Sequence, residues 1–170
     1  MTNSSTIEND KKTPLFAEHQ KLNGKIVSFG GWAMPVSYES VVEEHKAVRE
    51  KVGLFDVSHM GEIFVSGTDA LKFLQLLTIN DVSKLNIGAG QYTAMCNEQG
   101  GMIDDLIIYR VDNEKYLLCI NAANSDKDFA WIQKILKANP DHKIKIENLS
   151  ELWSQLAVQG PACLEALKGF

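Results

Sequence analysis

Three β-prone runs, residues 91–96, 102–110 and 115–121, lie so close together that little freedom remains in how they pair. The gaps between them, 97–101 and 111–114, are too short for a crossover helix, so antiparallel hairpins are the expected arrangement. The first gap, Asn97-Glu98-Gln99-Gly100-Gly101, ends in two glycines, where positive φ costs little. A strand starting near Met102 then carries two adjacent carboxylates, Asp104 and Asp105, into an apolar run. Side chains alternate along a strand, so the two acids point to opposite faces. The neighbours on both faces are apolar, and a carboxylate held there needs a partner, a ligand or a raised pKa. The residues alone leave open which acid is the special one. Two solvated acids at a hairpin entry are the competing reading, and the Gly-Gly pair, by admitting a ligand close to the backbone, argues for a site.

Around this centre the pattern is helical. Apolar spacing and capping signals predict helices over 40–51, 69–78 and 124–138, with a short one over 15–22 and another beginning after Gly160-Pro161. Ser40 with Glu43 has the form of a capping box, and Asn124 is the expected N-cap of the long helix. Further strands are expected over 25–29, 62–66, 143–147 and 154–158, an irregular stretch over 30–36, and a connection over 79–90 with at most a turn of helix. The fold class is therefore α+β: a central antiparallel β-sheet with helices 40–51, 69–78 and 124–138 packed on one face. Residues 1–12, rich in Asn, Ser, Thr, Glu and Lys, are expected to form a disordered tail, and 13–170 the folded part.

Composition excludes several classes. The formal charge is -5, from 22 acidic and 17 basic residues, which gives no basic stripe for nucleic acid. Cys96, Cys119 and Cys163 are far apart and fit neither a zinc spacing nor a disulfide framework, so no metal is expected. No apolar run approaches a membrane span. Asp56-Val57-Ser58-His59 tempts a hydrolase reading, but adjacent residues of an extended chain point apart and no nucleophile elbow is present. A structural or ligand-lining loop fits it better. His19, His45 and His142 have no ligand spacing and read as surface or helix residues. Asn121, ending the third central run, has an amide suited to a planar polar heterocycle, and Tyr92 either stacks on a ligand or packs.

Five segments together resemble one family. They are Thr13-Pro14-Leu15-Phe16, Phe29-Gly30-Gly31-Trp32-Ala33-Met34-Pro35, Leu54-Phe55-Asp56-Val57-Ser58-His59-Met60, Gly100-Gly101-Met102-Ile103-Asp104-Asp105-Leu106-Ile107 and Ala157-Val158-Gln159-Gly160-Pro161. In this order they resemble the aminomethyltransferase, or T-protein, of the glycine cleavage system. The resemblance implies transfer of a one-carbon unit from the aminomethyl-lipoyl arm of H-protein to tetrahydrofolate, with release of ammonia and formation of 5,10-methylenetetrahydrofolate. It implies Asp105 as the critical carboxylate and Met60, Tyr92, Asp105 and Asn121 as folate-pocket positions, with His59 beside the same pocket. Family chains are longer, so 13–170 corresponds to the N-terminal part of the folate-binding aminomethyltransferase domain, inactive by itself. A folate-binding accessory protein of the same superfamily, of the iron–sulfur cluster assembly type, and a folate-dependent demethylase are the alternatives. The acid-containing first residues do not resemble an Arg-rich transit peptide, so a bacterial cytoplasmic location fits better than the mitochondrial matrix.

Overall fold

The computed structural model describes residues 7–169. The chain divides into two compact units, one formed by Met1–His59 with Ser154–Phe170 and the other by Met60–Trp153.

In the first unit, β1 (Ile26–Phe29) and β2 (Trp32–Pro35) form an antiparallel hairpin. The stretch expected to be irregular is thus partly strand. Phe29 faces Trp32, leaving Gly30 and Gly31 as a two-residue loop with φ of 58° and 84°. Positive φ at both central residues is what the type I′ hairpin turn needs, so the Gly-Gly pair makes the hairpin rather than breaking the chain. β3 (Gly53–Asp56) pairs antiparallel with β9 (Leu156–Gln159). Helices α1 (Phe16–Lys21) and α2 (Val41–Glu50) belong to this unit, as does α5 (Cys163–Ala166). The helix over 40–51, expected on the central sheet, therefore lies outside the unit that contains that sheet, and none of its residues is buried. Its cap is shared between two residues. The Ser40 side chain accepts from the Glu43 N–H, but the Glu44 carboxylate takes the N–H groups of Tyr38, Glu39 and Ser40. Those backbone bonds hold Glu44 below the usual carboxylate range. Of the tail expected over 1–12, residues 1–6 lie outside the described residues, whereas Lys11 exchanges backbone bonds with Gly31 and Ala33.

His19, read from the sequence as a surface or helix residue, is in α1 but buried. Its Nε2 lies 2.8 Å from Asp56 Oδ2 and its Nδ1 2.8 Å from the Tyr38 hydroxyl. Thr13 donates to the same Asp56 oxygen at 2.6 Å. Burial pushes the Asp56 carboxyl up, but hydrogen bonds from Ser58, Thr13 and His19 outweigh it and hold the acid below its ordinary value. Ser58 Oγ accepts from the Gln155 N–H at 3.0 Å, tying the end of β3 to the approach to β9. Asp56, Ser58 and His19 thus form a structural knot.

The second unit holds a five-stranded sheet in the order β5-β6-β7-β4-β8, every neighbouring pair antiparallel. The strands are β4 (Gly61–Ser66), β5 (Gly90–Cys96), β6 (Met102–Asp112), β7 (Lys115–Ile120) and β8 (Lys145–Asn148). The three central runs form the expected meander. In the β5–β6 loop, Asn97 Oδ1 accepts from the N–H groups of Gln99 and Gly101. Gly100 takes φ 79°, and a Cβ on Gly101 would sit 2.9 Å from the Asn97 amide. The glycines let the loop wrap around Asn97, which accounts for them without a ligand.

Helices α3 (Ala70–Leu77) and α4 (Ser125–Ala138) bring Phe73, Leu74, Leu77 and Ile132 into one core with Ile63, Val65, Met95, Leu106, Ile108, Leu118 and Ile120. Burying a side chain the size of Phe73 contributes roughly 1.5–3 kcal/mol. The expected turn of helix in the 79–90 connection is a 3₁₀ turn at Val82–Lys84, whose Val82 and following Leu85 join this core. The sheet therefore has a helix side and an opposite side, and β6 shows both: Asp104, Leu106 and Ile108 are buried, while Ile103, Asp105 and Ile107 are less so.

Candidate functional site

Alternation along the strands decides which side chains meet on the side away from the core. In register, Ala94 of β5 faces Asp105 of β6, and Leu106 faces Ile120 of β7, which in turn faces Gly61 of β4. One step along each strand, Met60, Asn121, Asp105 and Ala94 fall in a single cross-strand row. Tyr92, two residues from Ala94, shares that side. Met60, Tyr92, Asp105 and Asn121, drawn from four separate sequence segments, thus come onto one face of one sheet.

Hydrogen bonds join three of them. The Tyr92 hydroxyl donates to Asp105 Oδ2. Asn121 Nδ2 donates to Asp105 Oδ1 at 3.3 Å and to the Asp105 carbonyl at 3.1 Å. Tyr92 is 65% exposed, so its ring is free to cover a ligand rather than fill a core. The bond to Asp105, more than anything else, raises the Tyr92 pKa. Met60 is half-buried and joins the row by register alone. His59 belongs to the first unit, where its ring meets Phe29 and Trp32 edge-on at 5.9 and 6.5 Å. Burial lowers its pKa, against the opposing pull of Asp56.

Behind the row stands a second layer that the sequence did not assign. Asp104 points to the helix side and is 9% exposed. Its Oδ2 accepts from Asn121 Nδ2 at 3.2 Å and from Asn124 Nδ2 at 2.9 Å. Asn124, expected as a capping side chain, occupies the N-cap position of α4 but makes no capping bond; its Nδ2 donates to Asp104 instead. Asp128, one turn further along α4, is fully buried with both carboxylate oxygens lacking a hydrogen-bond partner among the described residues, and the Lys127 ammonium lies 3.7 Å from its Oδ1. Burial raises the Asp104 carboxyl, but the neighbouring Asp128 carboxyl, the amides of Asn124 and Asn121 and the Asp105 N–H prevail and hold it below its ordinary value. Asp128 moves the other way: burial first, then the neighbouring Asp104 carboxylate, raise it to about 7. The legible signal was spacing. Asn124, Asp128 and Ile132 recur every four residues on one helix face, and an aspartate in a buried stripe asks for a partner.

Glu62 is the other residue missed. It shares the Asp105 side of the sheet, opposite Cys119, and is 1% exposed. Burial raises its pKa to about 7. Among the described residues no group of His, Cys, Asp and Glu is arranged to hold a metal ion.

With this geometry in hand, comparison with known proteins is decisive at the level of family. Residues 15–170 match the family described as GCVT N-terminal domain. The chain belongs to that family. It is 53% identical over 159 residues to an aminomethyltransferase of Staphylococcus haemolyticus, covering 94% of this chain and 43% of that protein. A second aminomethyltransferase, from Caldanaerobacter subterraneus, is 51% identical over 168 residues, covering 99% of this chain and 44% of its own length. The solved glycine cleavage system aminomethyltransferase T from Bartonella henselae superposes with a TM-score of 0.84 at 36% identity, over 92% of this chain and 42% of that one. The α+β fold read from the sequence is the fold of that protein. The chain thus spans less than half the length of the relatives it matches.

Proposed function

We propose that this chain supplies the carboxylate-bearing part of a tetrahydrofolate-dependent aminomethyltransferase of the glycine cleavage system, with lipoylated H-protein as the donor of the one-carbon unit. Residues 13–170 then form the N-terminal portion of the folate-binding domain, working in the bacterial cytoplasm. The aminomethyltransferase relatives support transfer chemistry over the accessory and demethylase alternatives. Among the described residues no helix is long and apolar enough to cross a membrane.

The observation that carries this reading is Asp105, held at the face of the sheet by the Tyr92 hydroxyl and the Asn121 amide. The residue set fits the ligand. A pterin is a flat heterocycle rimmed with N–H donors and a carbonyl, matched by a carboxylate, an amide and an exposed aromatic ring. Tetrahydrofolate supplies the nitrogen nucleophiles that accept the carbon. Positive charge develops on the one-carbon unit as it leaves its donor. A carboxylate already fixed in place stabilises that charge without reorganising. Asp105 also stands ready to hold or pass a proton as a ligand amine changes its bonding. Tyr92 and Asn121 keep the carboxylate from rotating away, so its position is set before a ligand arrives.

The test is Asp105→Asn in the complete protein, with ammonia release from aminomethylated H-protein as the readout and tetrahydrofolate binding measured by calorimetry. Turnover should fall on the order of 10²–10³-fold, the usual loss for removing one preorganised stabilising group. The melting temperature should stay within a few degrees.

A further inference from the structure

Asn121 follows the last residue of β7 and opens the 3₁₀ turn, Ala122–Asn124, that leads into α4. The Asn124 N–H closes that turn on the Asn121 carbonyl at 3.0 Å. The side chains of the same two residues converge as well. Asn121 Nδ2 and Asn124 Nδ2 both donate to Asp104 Oδ2, at 3.2 and 2.9 Å. One carboxylate oxygen of β6 therefore clamps both ends of the turn.

The clamp decides which way the Asn121 amide faces. Its Nδ2 also lies 3.1 Å from the Asp105 carbonyl and 3.3 Å from Asp105 Oδ1. A main-chain carbonyl can only accept. The Asp104 carboxyl is held below its ordinary value, so at neutral pH it is ionised and only accepts as well. The amide end turned toward the acids is thus the nitrogen on chemical grounds. Three acceptors surround a group with two hydrogens, so the nitrogen has nothing left to offer a ligand. The oxygen, on the other arm of the same planar carbon, takes no part in these bonds. Asp104 itself is 9% exposed and points to the helix side, so it does not face a ligand on the Asp105 side. Without it, the amide would be held by the Asp105 acceptors alone and could turn its N–H groups outward.

We propose that Asp104 is a positioning residue of the site: it clamps the Asn121 amide with its nitrogen toward both acids, so that Asn121 presents an acceptor, and not a donor, to the ligand. The class of ligand this selects is a heterocycle with a ring N–H or amino group at that point, as a pterin has. A ring offering only acceptors there is disfavoured. The proposal rests on the reading of Asp105 and Asn121 as ligand-facing groups. It gives the first acid of the Asp-Asp pair a share in binding beside its part in the fold.

Asp104→Asn in the complete protein brings a third amide to the two that donate there, and its single oxygen cannot replace the carboxylate for both. Tetrahydrofolate affinity, measured by calorimetry, should weaken about fivefold to tenfold, the worth of one hydrogen bond. The KM for tetrahydrofolate should rise more than kcat falls. The loss should vanish where Asn121 is already gone: adding Asp104→Asn to Asn121→Ala should change affinity by less than about twofold, whereas independent contributions would multiply. Lowered stability alone moves neither the split between KM and kcat nor this coupling. Wild-type affinity in Asp104→Asn, or the full further loss in the double variant, overturns the proposal. If Asp104→Asn does not fold, hydrogen exchange of the wild-type side-chain amides decides. The Asn121 side-chain N–H groups should exchange about tenfold or more slowly than those of the exposed Asn113, and equal rates overturn the clamp. Failure of the wild type to bind tetrahydrofolate counts against the function proposed above, whereas the exchange rates judge the clamp without any ligand.

Discussion

Leu106 and Ile108 project from β6 into the core beneath α3 and α4, while Asp105, one residue before Leu106, projects from the same strand to the other side. The helix side is closed by Phe73, Leu74 and Ile132, all fully buried. The opposite side carries an exposed Tyr92 and a carboxylate steadied by two hydrogen bonds. The difference shows how a small sheet serves two ends. Period-two alternation lets one strand bury apolar residues on one side and hold a polar group on the other without either set occupying the other's positions. Asp104 and Asn121 are where the two sides touch. Asn121 follows β7 and binds both acids, so the helix side is hydrogen-bonded to the side that carries Asp105.

Four changes would break or sharpen this contrast. On the helix side, Phe73→Ala should cost about 3–5 kcal/mol of stability in urea denaturation, because its ring is wholly enclosed. A loss under about 1 kcal/mol would mean that this side is not the structural one. Asp104→Ala should cost about 1–3 kcal/mol, since the Asn121 and Asn124 amides would lose the carboxylate that they both donate to. Glu62 probes the other side through pH. Its folded pKa of about 7 lies above its unfolded value, so the stability linked to its proton is fully present below about pH 4 and is lost as the pH rises through 7. Glu62→Gln should therefore match the wild type in acid and exceed it by on the order of 1–2 kcal/mol at about pH 8, measured as the difference in melting curves. A difference that does not change with pH would contradict a neutral Glu62. Tyr92→Phe should have the smallest effect: unchanged melting and a threefold to tenfold loss of tetrahydrofolate affinity, about the worth of one hydrogen bond.

Much of the sheet was legible because its information is local. Short gaps dictated the antiparallel meander, and the alternation of β6 placed the two acids on opposite sides before any pairing partner was known. What escaped the sequence was set by distant partners. His19 looked like an ordinary helix residue because Asp56, its partner, is 37 positions away. Ser40 and Glu43 suggested a capping box, yet Glu44 reaches the backbone of the turn and takes the second arm. The helix over 40–51 carried apolar residues at helical spacing, but Val41 and Val42 are exposed, and spacing alone cannot say which unit a helix joins. Gly30-Gly31 fell in a stretch expected to be irregular because a turn's sign of φ is not visible until both flanking strands are recognised. The site was legible in part. Tyr92, Asp105 and Asn121 come together, while the layer of Asp104, Asn124 and Asp128 behind them was missed, although an acid in the apolar stripe of α4 was in plain view.

The most direct measurement compares Asp105→Asn with Asp104→Asn in the complete protein, following ammonia release and thermal unfolding side by side. The account predicts that Asp105→Asn loses turnover on the order of 10²–10³-fold while melting as the wild type does. It predicts that Asp104→Asn chiefly lowers the melting temperature, because its carboxylate serves the buried network. Near-normal turnover in Asp105→Asn, or a loss of turnover confined to Asp104→Asn, would contradict the assignment of the two faces.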